Sequence, residues 1–222
     1  MNNLQPKFSH IYIEKEAYGY SLSDTILRKF PNSSIVDIKH YKDVFNRSGQ
    51  DFQTQKKSMN LILAKKTSPF LYPITDMVQG HRMPGFFYTT PMLNCLYNCE
   101  YCFLQGMYSS GNIVIFVNQN DFQDAIKVEL NQNKFSKGIL TVSISYNTDL
   151  LAMENLFPIT KSWIKFASES KNLMIEIRTK STNFKPIDVM DSNQNVLLSW
   201  TISPEEISKS YEHLAPPLSQ RI

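Results

Sequence analysis

Leu140-Thr-Val-Ser-Ile-Ser-Tyr146 alternates apolar and polar side chains residue by residue. In an extended chain successive side chains point to opposite faces. Leu140, Val142 and Ile144 therefore share one side of a strand, and Thr141, Ser143 and Ser145 the other. Two later segments repeat the pattern. Glu176, Arg178 and Lys180 alternate with Ile175, Ile177 and Thr179, and Ser199, Thr201 and Ser203 alternate with Leu198, Trp200 and Ile202. Strands separated by helical segments call for parallel βαβ units, and so for an α/β fold built as an open or closed barrel. If helices cover the apolar sides, the polar sides face a common interior. Simple barrels fill that interior with branched apolar residues, so a polar lining implies a polar occupant.

Working outward, Phe86–Thr90 and Ile113–Asn118 read as strands, as do Gly138–Tyr146, Leu173–Thr179 and Val196–Ile202. Asp121–Leu130 suits a helix capped by Asn118 or Asn120, with Phe122, Ala125 and Val128 or Leu130 turned inward. Glu154–Ala167 reads as a further helix. Nearer the N-terminus, residues 8–13, Ser34–Ile38 and Met59–Ala64 read as strands. Residues 21–30 read as a helix with Ser21 or Ser23 as cap and Leu22, Ile26, Leu27 and Phe30 on one face. The polar stretch 39–58 reads as irregular. This divides the chain into a small α/β region, 1–80, and a partial barrel, 81–222. Ser203-Pro-Glu-Glu-Ile opens a helix, and Ser219-Gln-Arg-Ile starts another where the sequence stops. Four barrel strands do not close a barrel, so a truncated or partial gene product is expected. Trp163 and Trp200 read as core, and the pairs Lys56-Lys57 and Lys65-Lys66 as solvated surface.

Composition is that of an ordinary globular protein: 222 residues, 42% hydrophobic and 19% charged, with a formal net charge of +3. The charge permits contact with nucleic acid without arguing for it. The sequence shows neither an apolar run long enough to span a bilayer nor a signal-peptide pattern at its start, so a cytoplasmic location without membrane attachment is expected.

The three cysteines all fall within Cys95-Leu-Tyr-Asn-Cys99-Glu-Tyr-Cys102. An odd, tightly clustered set in a chain without an export signal is a poor disulfide framework. Thiolates at gaps of three and two residues can hold three corners of an iron–sulfur cubane and leave the fourth iron open. S-adenosylmethionine can chelate such an iron, and an electron from the cluster then splits its sulfonium. Two other chemistries use part of the same motif. Cys99 and Cys102 could form a dithiol redox pair, or the cysteines could bind zinc with His81 as fourth ligand.

These residues resemble the radical S-adenosylmethionine superfamily, and within it the spore photoproduct lyase family. The resemblance rests on Cys99-Glu-Tyr-Cys-Phe-Leu-Gln105, Ile115-Phe-Val-Asn118, Ser145-Tyr-Asn-Thr-Asp149, Ile177-Arg-Thr-Lys180, Trp200-Thr-Ile-Ser-Pro-Glu205 and Tyr211 to Ile222, together with Ile11-Tyr-Ile-Glu14. It implies a partial (β/α) barrel of the radical S-adenosylmethionine type, incomplete at the C-terminus because family members are longer. It also implies a [4Fe–4S] cluster on Cys95, Cys99 and Cys102, a reductant such as flavodoxin or ferredoxin, and DNA carrying a thymine-dimer photolesion as substrate. By the same resemblance Tyr101, Thr148, Lys180, Thr201 and Ser203 hold S-adenosylmethionine, and Glu176 and Arg178 line the same interior. Tyr101 and Tyr146 are the candidate catalytic groups. Two departures bear on lyase chemistry. The family's hydrogen-donating cysteine falls at Tyr146, and the tyrosine after the third cluster cysteine is Phe103. Ser181-Thr-Asn183 also stands where lyases carry Tyr-His-His, as in the family's non-lyase branch.

Overall fold

Strand pairing sorts the chain into two parallel sheets. The computed structural model describes residues 6–74, 85–132, 138–187 and 195–222. The strands are β1 (His10–Glu14), β2 (Ser34–Ile38), β3 (Leu61–Ala64), β4 (Tyr72–Pro73), β5 (Phe86–Tyr88), β6 (Met92–Leu93), β7 (Asn98–Cys99), β8 (Ile113–Phe116), β9 (Leu140–Ser143), β10 (Leu173–Thr179), β11 (Val196–Trp200) and β12 (Glu212–His213). The helices are α1 (Ser21–Lys29), α2 (Lys42–Phe45), α3 (Phe52–Lys57), α4 (Leu104–Met107), α5 (Gln119–Asn131), α6 (Leu150–Met153), α7 (Thr160–Ser168), α8 (Glu205–Tyr211) and α9 (Leu218–Arg221).

The first sheet has the order β2-β1-β3-β8-β6 and the second β11-β10-β9-β5-β4. Apart from the short antiparallel edges β6 and β4, neighbouring strands in both are parallel. One apolar core runs through both, from Ile11, Leu61 and Ile113 to Val142, Trp163 and Ile175. Parallel strands covered on both faces read as unbroken apolar runs, which is how Leu61–Ala64 and Ile113–Phe116 read. In the second sheet the alternation holds. Thr141, Ser143 and Glu176 form a buried polar face, with Glu176 2.9 Å from Arg178. Among the described residues no helix is long and apolar enough to cross a membrane.

Several local expectations change. Ile113–Phe116, read with the alternation of the C-terminal region, pairs with β3 in the first sheet, Leu61 opposite Ile113. The stretch 39–58 holds α2 and α3. Asp51 caps α3 by accepting the Thr54 N–H at 3.0 Å, and the helix packs mostly through polar side chains, so no apolar period marks it. The helix read over Glu154–Ala167 starts late: α7 begins only at Thr160, after Pro158, whose ring and missing N–H break an α-helix, and the short α6 ends before Glu154. Glu154 instead folds its carboxylate onto the start of α7, accepting the N–H groups of Thr160 (2.7 Å) and Lys161 (3.1 Å). Tyr20, neither Ser21 nor Ser23, occupies the cap of α1, because the Ser23 hydroxyl is taken by the Ala17 carbonyl at 2.6 Å. On α5, Phe122 and Ile126 face the core while Val128 is exposed. Helix α8 begins after Pro204; the Ser203 hydroxyl, expected to cap it, donates to Glu212 at 2.8 Å. Trp163 is fully buried, whereas Trp200 is half-buried beside Phe184.

Candidate functional site at the cysteine loop

The cysteine loop is tied down from three directions. Asn94, in the left-handed region at φ 68°, starts it, and its side-chain amide donates to the carbonyls of Ser110 and Asn112, both at 2.6 Å. From one side, α3 reaches the loop through Lys56, whose ammonium donates to the Cys95 carbonyl. Gln53 of α3 accepts from Asn98 at 3.1 Å. From the other side the last residues of the chain lie across it. Strand β12 pairs antiparallel with β7, Glu212 opposite Cys99, and the Glu100 N–H donates to the Tyr211 carbonyl at 2.9 Å. Glu100 also meets His213, at 2.6 Å.

Glu212 anchors that strap. Its carboxylate side chain is fully buried, 3.1 Å from the Lys180 ammonium and 2.7 Å from Arg221. It also accepts the hydroxyls of Tyr101, Ser203 (2.8 Å) and Ser208 (2.9 Å). Burial alone would push its pKa up, but the hydrogen bonds from Tyr101, Arg221, Ser203 and Lys180 outweigh burial and hold it at about 2. On the barrel side Asp149 does similar work. Buried at the start of α6, it accepts the Thr179 hydroxyl (2.7 Å) and the N–H groups of Lys180 (2.8 Å) and Ala152 (3.0 Å), and so joins the end of β10 to the loop after β9.

Between the loop and the strand ends lies a cleft of about 330 Å³. Cys95, Cys99 and Cys102 line it with Tyr101, Tyr146, Thr148, Arg178, Lys180 and Thr201. Lys180 sits 5.6 Å from the centre of the half-exposed Tyr101 ring, and Ser203 lies 3.0 Å from the Tyr101 hydroxyl. The Thr148 hydroxyl donates to the Asn94 carbonyl at 2.6 Å, which commits its proton to the loop and leaves its lone pairs. Tyr146 packs between Tyr88 (ring centres 4.4 Å apart) and Phe103 (5.8 Å). The sequence reading placed Lys56 on the solvated surface and assigned no site role to Asp149, Glu212 or Arg221. The signal that could have found Glu212 and Arg221 was an acid and an arginine nine residues apart in the segment 212–222, whose other residues are mostly apolar.

The donor chemistry fits an iron–sulfur cluster. Thiolates are soft ligands, and the Tyr97 N–H points at the Cys95 sulfur from 3.4 Å. Burial raises the Cys95 thiol and takes Cys99 up to about 11, so a bound cation is needed to turn them into thiolates at neutral pH. Among the described residues no three His, Cys, Asp or Glu side chains gather to hold a single metal ion. Cys95, Cys99 and Cys102 line one cleft as a soft, three-sulfur donor set. His81, the other zinc ligand considered, lies outside the described residues.

A sequence profile of the spore photoproduct lyase family matches residues 5–222. The chain belongs to the spore photoproduct lyase family. The fold agrees. The structure superimposes on a spore photoproduct lyase double mutant with bound AdoMet and dinucleoside spore photoproduct with a TM-score of 0.81 at 18% identity. It also superimposes on a cysteine-to-serine mutant of spore photoproduct lyase with a TM-score of 0.79 at 19% identity. Each comparison covers 97% of this chain and 62% of the other, so this family member spans under two thirds of those lyases. The α/β fold is thus that of the spore photoproduct lyases, a partial barrel. No curated protein matched the sequence.

Proposed function

We propose that this chain is a radical S-adenosylmethionine enzyme of the spore photoproduct lyase family acting on a DNA photolesion. The observation that carries the reading is the single cleft in which three thiols, Lys180, Tyr101 and Thr201 meet, in a chain of this family. Cys95, Cys99 and Cys102 would hold a [4Fe–4S] cluster with one iron free of protein ligands. Bound there with S-adenosylmethionine, the cluster supplies one-electron cleavage of the sulfonium to a 5′-deoxyadenosyl radical.

The chain's own residues do the rest. Lys180 offers a cation to the cofactor's carboxylate, while Glu212 keeps that ammonium aimed into the cleft. Thr148, Thr201 and Ser203 supply hydroxyls, with Tyr101 beside Lys180. Asp149 fixes the two strand ends from which Thr148 and Lys180 project. Tyr146, held between Tyr88 and Phe103, offers a phenol to return a hydrogen where other family members have a cysteine. Phe103 has no hydroxyl to relay one. That pair favours a second reading, a member that binds cluster and cofactor but acts on another substrate or does not turn over.

Anaerobic reconstitution with iron and sulfide, then reduction with S-adenosylmethionine, tests the first part: 5′-deoxyadenosine should form. Incubation with dinucleoside spore photoproduct tests the second, since a lyase releases repaired thymines. A sample that takes up zinc and no cluster overturns the proposal. 5′-Deoxyadenosine without repair moves it to the second reading.

A further inference from the structure

We propose that Lys56 is a positioning residue of the metal site, its ammonium setting a fixed positive charge beside the three cysteines and raising the reduction potential of the cluster they hold. The inference rests on the cluster reading above.

Lysine is almost never fully buried unless paired, yet Lys56 is only 5% exposed. Among the described residues no carboxylate pairs with it. Its ammonium instead donates to the Cys95 carbonyl, inside the cysteine loop.

The charge is preorganised because α3 is locked to the chain on both sides of the motif. The Gln55 side-chain amide oxygen accepts the Ser110 hydroxyl and the Gly111 N–H, both at 2.8 Å. Gln53 donates to Gln105 at 2.6 Å, and Gln105 in turn donates to the Cys99 carbonyl at 2.5 Å. Gly111 sets the spacing by backbone contact. A Cβ there would stand 2.8 Å from the Phe52 carbonyl oxygen and 2.9 Å from the Lys56 backbone nitrogen, so only glycine admits this approach. A cation fixed in a water-poor site favours the more negative, reduced state of a neighbouring redox centre.

The test compares the parent chain with K56M, K56Q and K56R, reconstituted anaerobically and matched for iron content. Midpoint potentials are read from a potentiometric titration followed by electron paramagnetic resonance. The neutral variants should titrate lower by at least tenfold in the redox equilibrium, about 59 mV for one electron, while K56R stays near the parent. Should K56M fail to fold, K56Q against K56R makes the same comparison. Cluster-loaded neutral variants with the parent's potential overturn the proposal. So does loss of the cluster from both neutral variants while K56R stays loaded, because the charge would then hold the metal and not tune it. A parent chain that takes up no cluster overturns the proposed function first, which separates the two failures.

Discussion

Lys180 shows how a residue's role depends on what surrounds it. Its ammonium touches the cleft and a buried carboxylate at once. A hydrogen bond to a charged group is worth about 1.5–3 kcal/mol, so K180M should weaken S-adenosylmethionine binding by roughly tenfold or more. The cluster's iron content should stay unchanged, because Lys180 does not hold the loop. Equilibrium dialysis of the loaded protein reads this, and unchanged affinity would remove Lys180 from the cofactor site. Glu212 carries a pH signature. Its folded pKa of about 2 lies below the ordinary 4.5, so the stability it contributes is fully present above pH 4.5. That stability is lost as pH falls through 2, since protonation discharges the partner of Lys180 and Arg221. For the metal-free chain, urea midpoints from pH 6 to pH 2 should fall most steeply below 4.5, and E212Q should flatten that fall.

A helix of four to nine residues is marginal by itself, and three of the short helices here, α3, α6 and α7, have carboxylates accepting N–H groups at their starts. Helix α7 depends on Glu154, which satisfies two N–H groups at its start. E154A should destabilise the chain by about 1 kcal/mol, the usual loss for a removed cap, seen as a lower urea midpoint with an unchanged slope. Helix α3 depends on Asp51 in the same way. Its polar surface is the reason it escaped the periodicity that revealed α1 and α5.

At the scale of the whole molecule, the cysteine loop is held between an N-terminal helix and the C-terminal strap. Arg221 closes the strap: fully buried in its side chain, it bonds Glu212, the Pro216 carbonyl at 2.7 Å and the Thr201 carbonyl at 3.4 Å. Removing one partner of a buried ion pair leaves an uncompensated charge, at about 3–5 kcal/mol. R221A should therefore unfold at markedly lower denaturant, and adding E212Q should recover part of the loss. A double-mutant cycle that comes out additive would show the strap is not held by this pair.

The longer strands, and the two-faced character of β9 and β10, were legible in the sequence because side-chain alternation is a property of the local backbone; the two-residue strands β4, β6, β7 and β12 are too short to show it. The Cys95–Cys102 spacing was legible because three cysteines within eight residues need no tertiary information to be read as one group of thiols. Local sequence could not show which strands pair. Ile113–Phe116 joined β3 because a fully apolar strand suits any parallel sheet buried on both faces, so its neighbour is chosen only when both sheets pack on the common core. Nor could it show that Lys56 is interior, or that Glu212 and Arg221 close the site from the end of the chain. A charged residue's burial is decided by partners distant in sequence, here a backbone carbonyl for Lys56 and Lys180 for Glu212. Those partners meet only once the chain has folded.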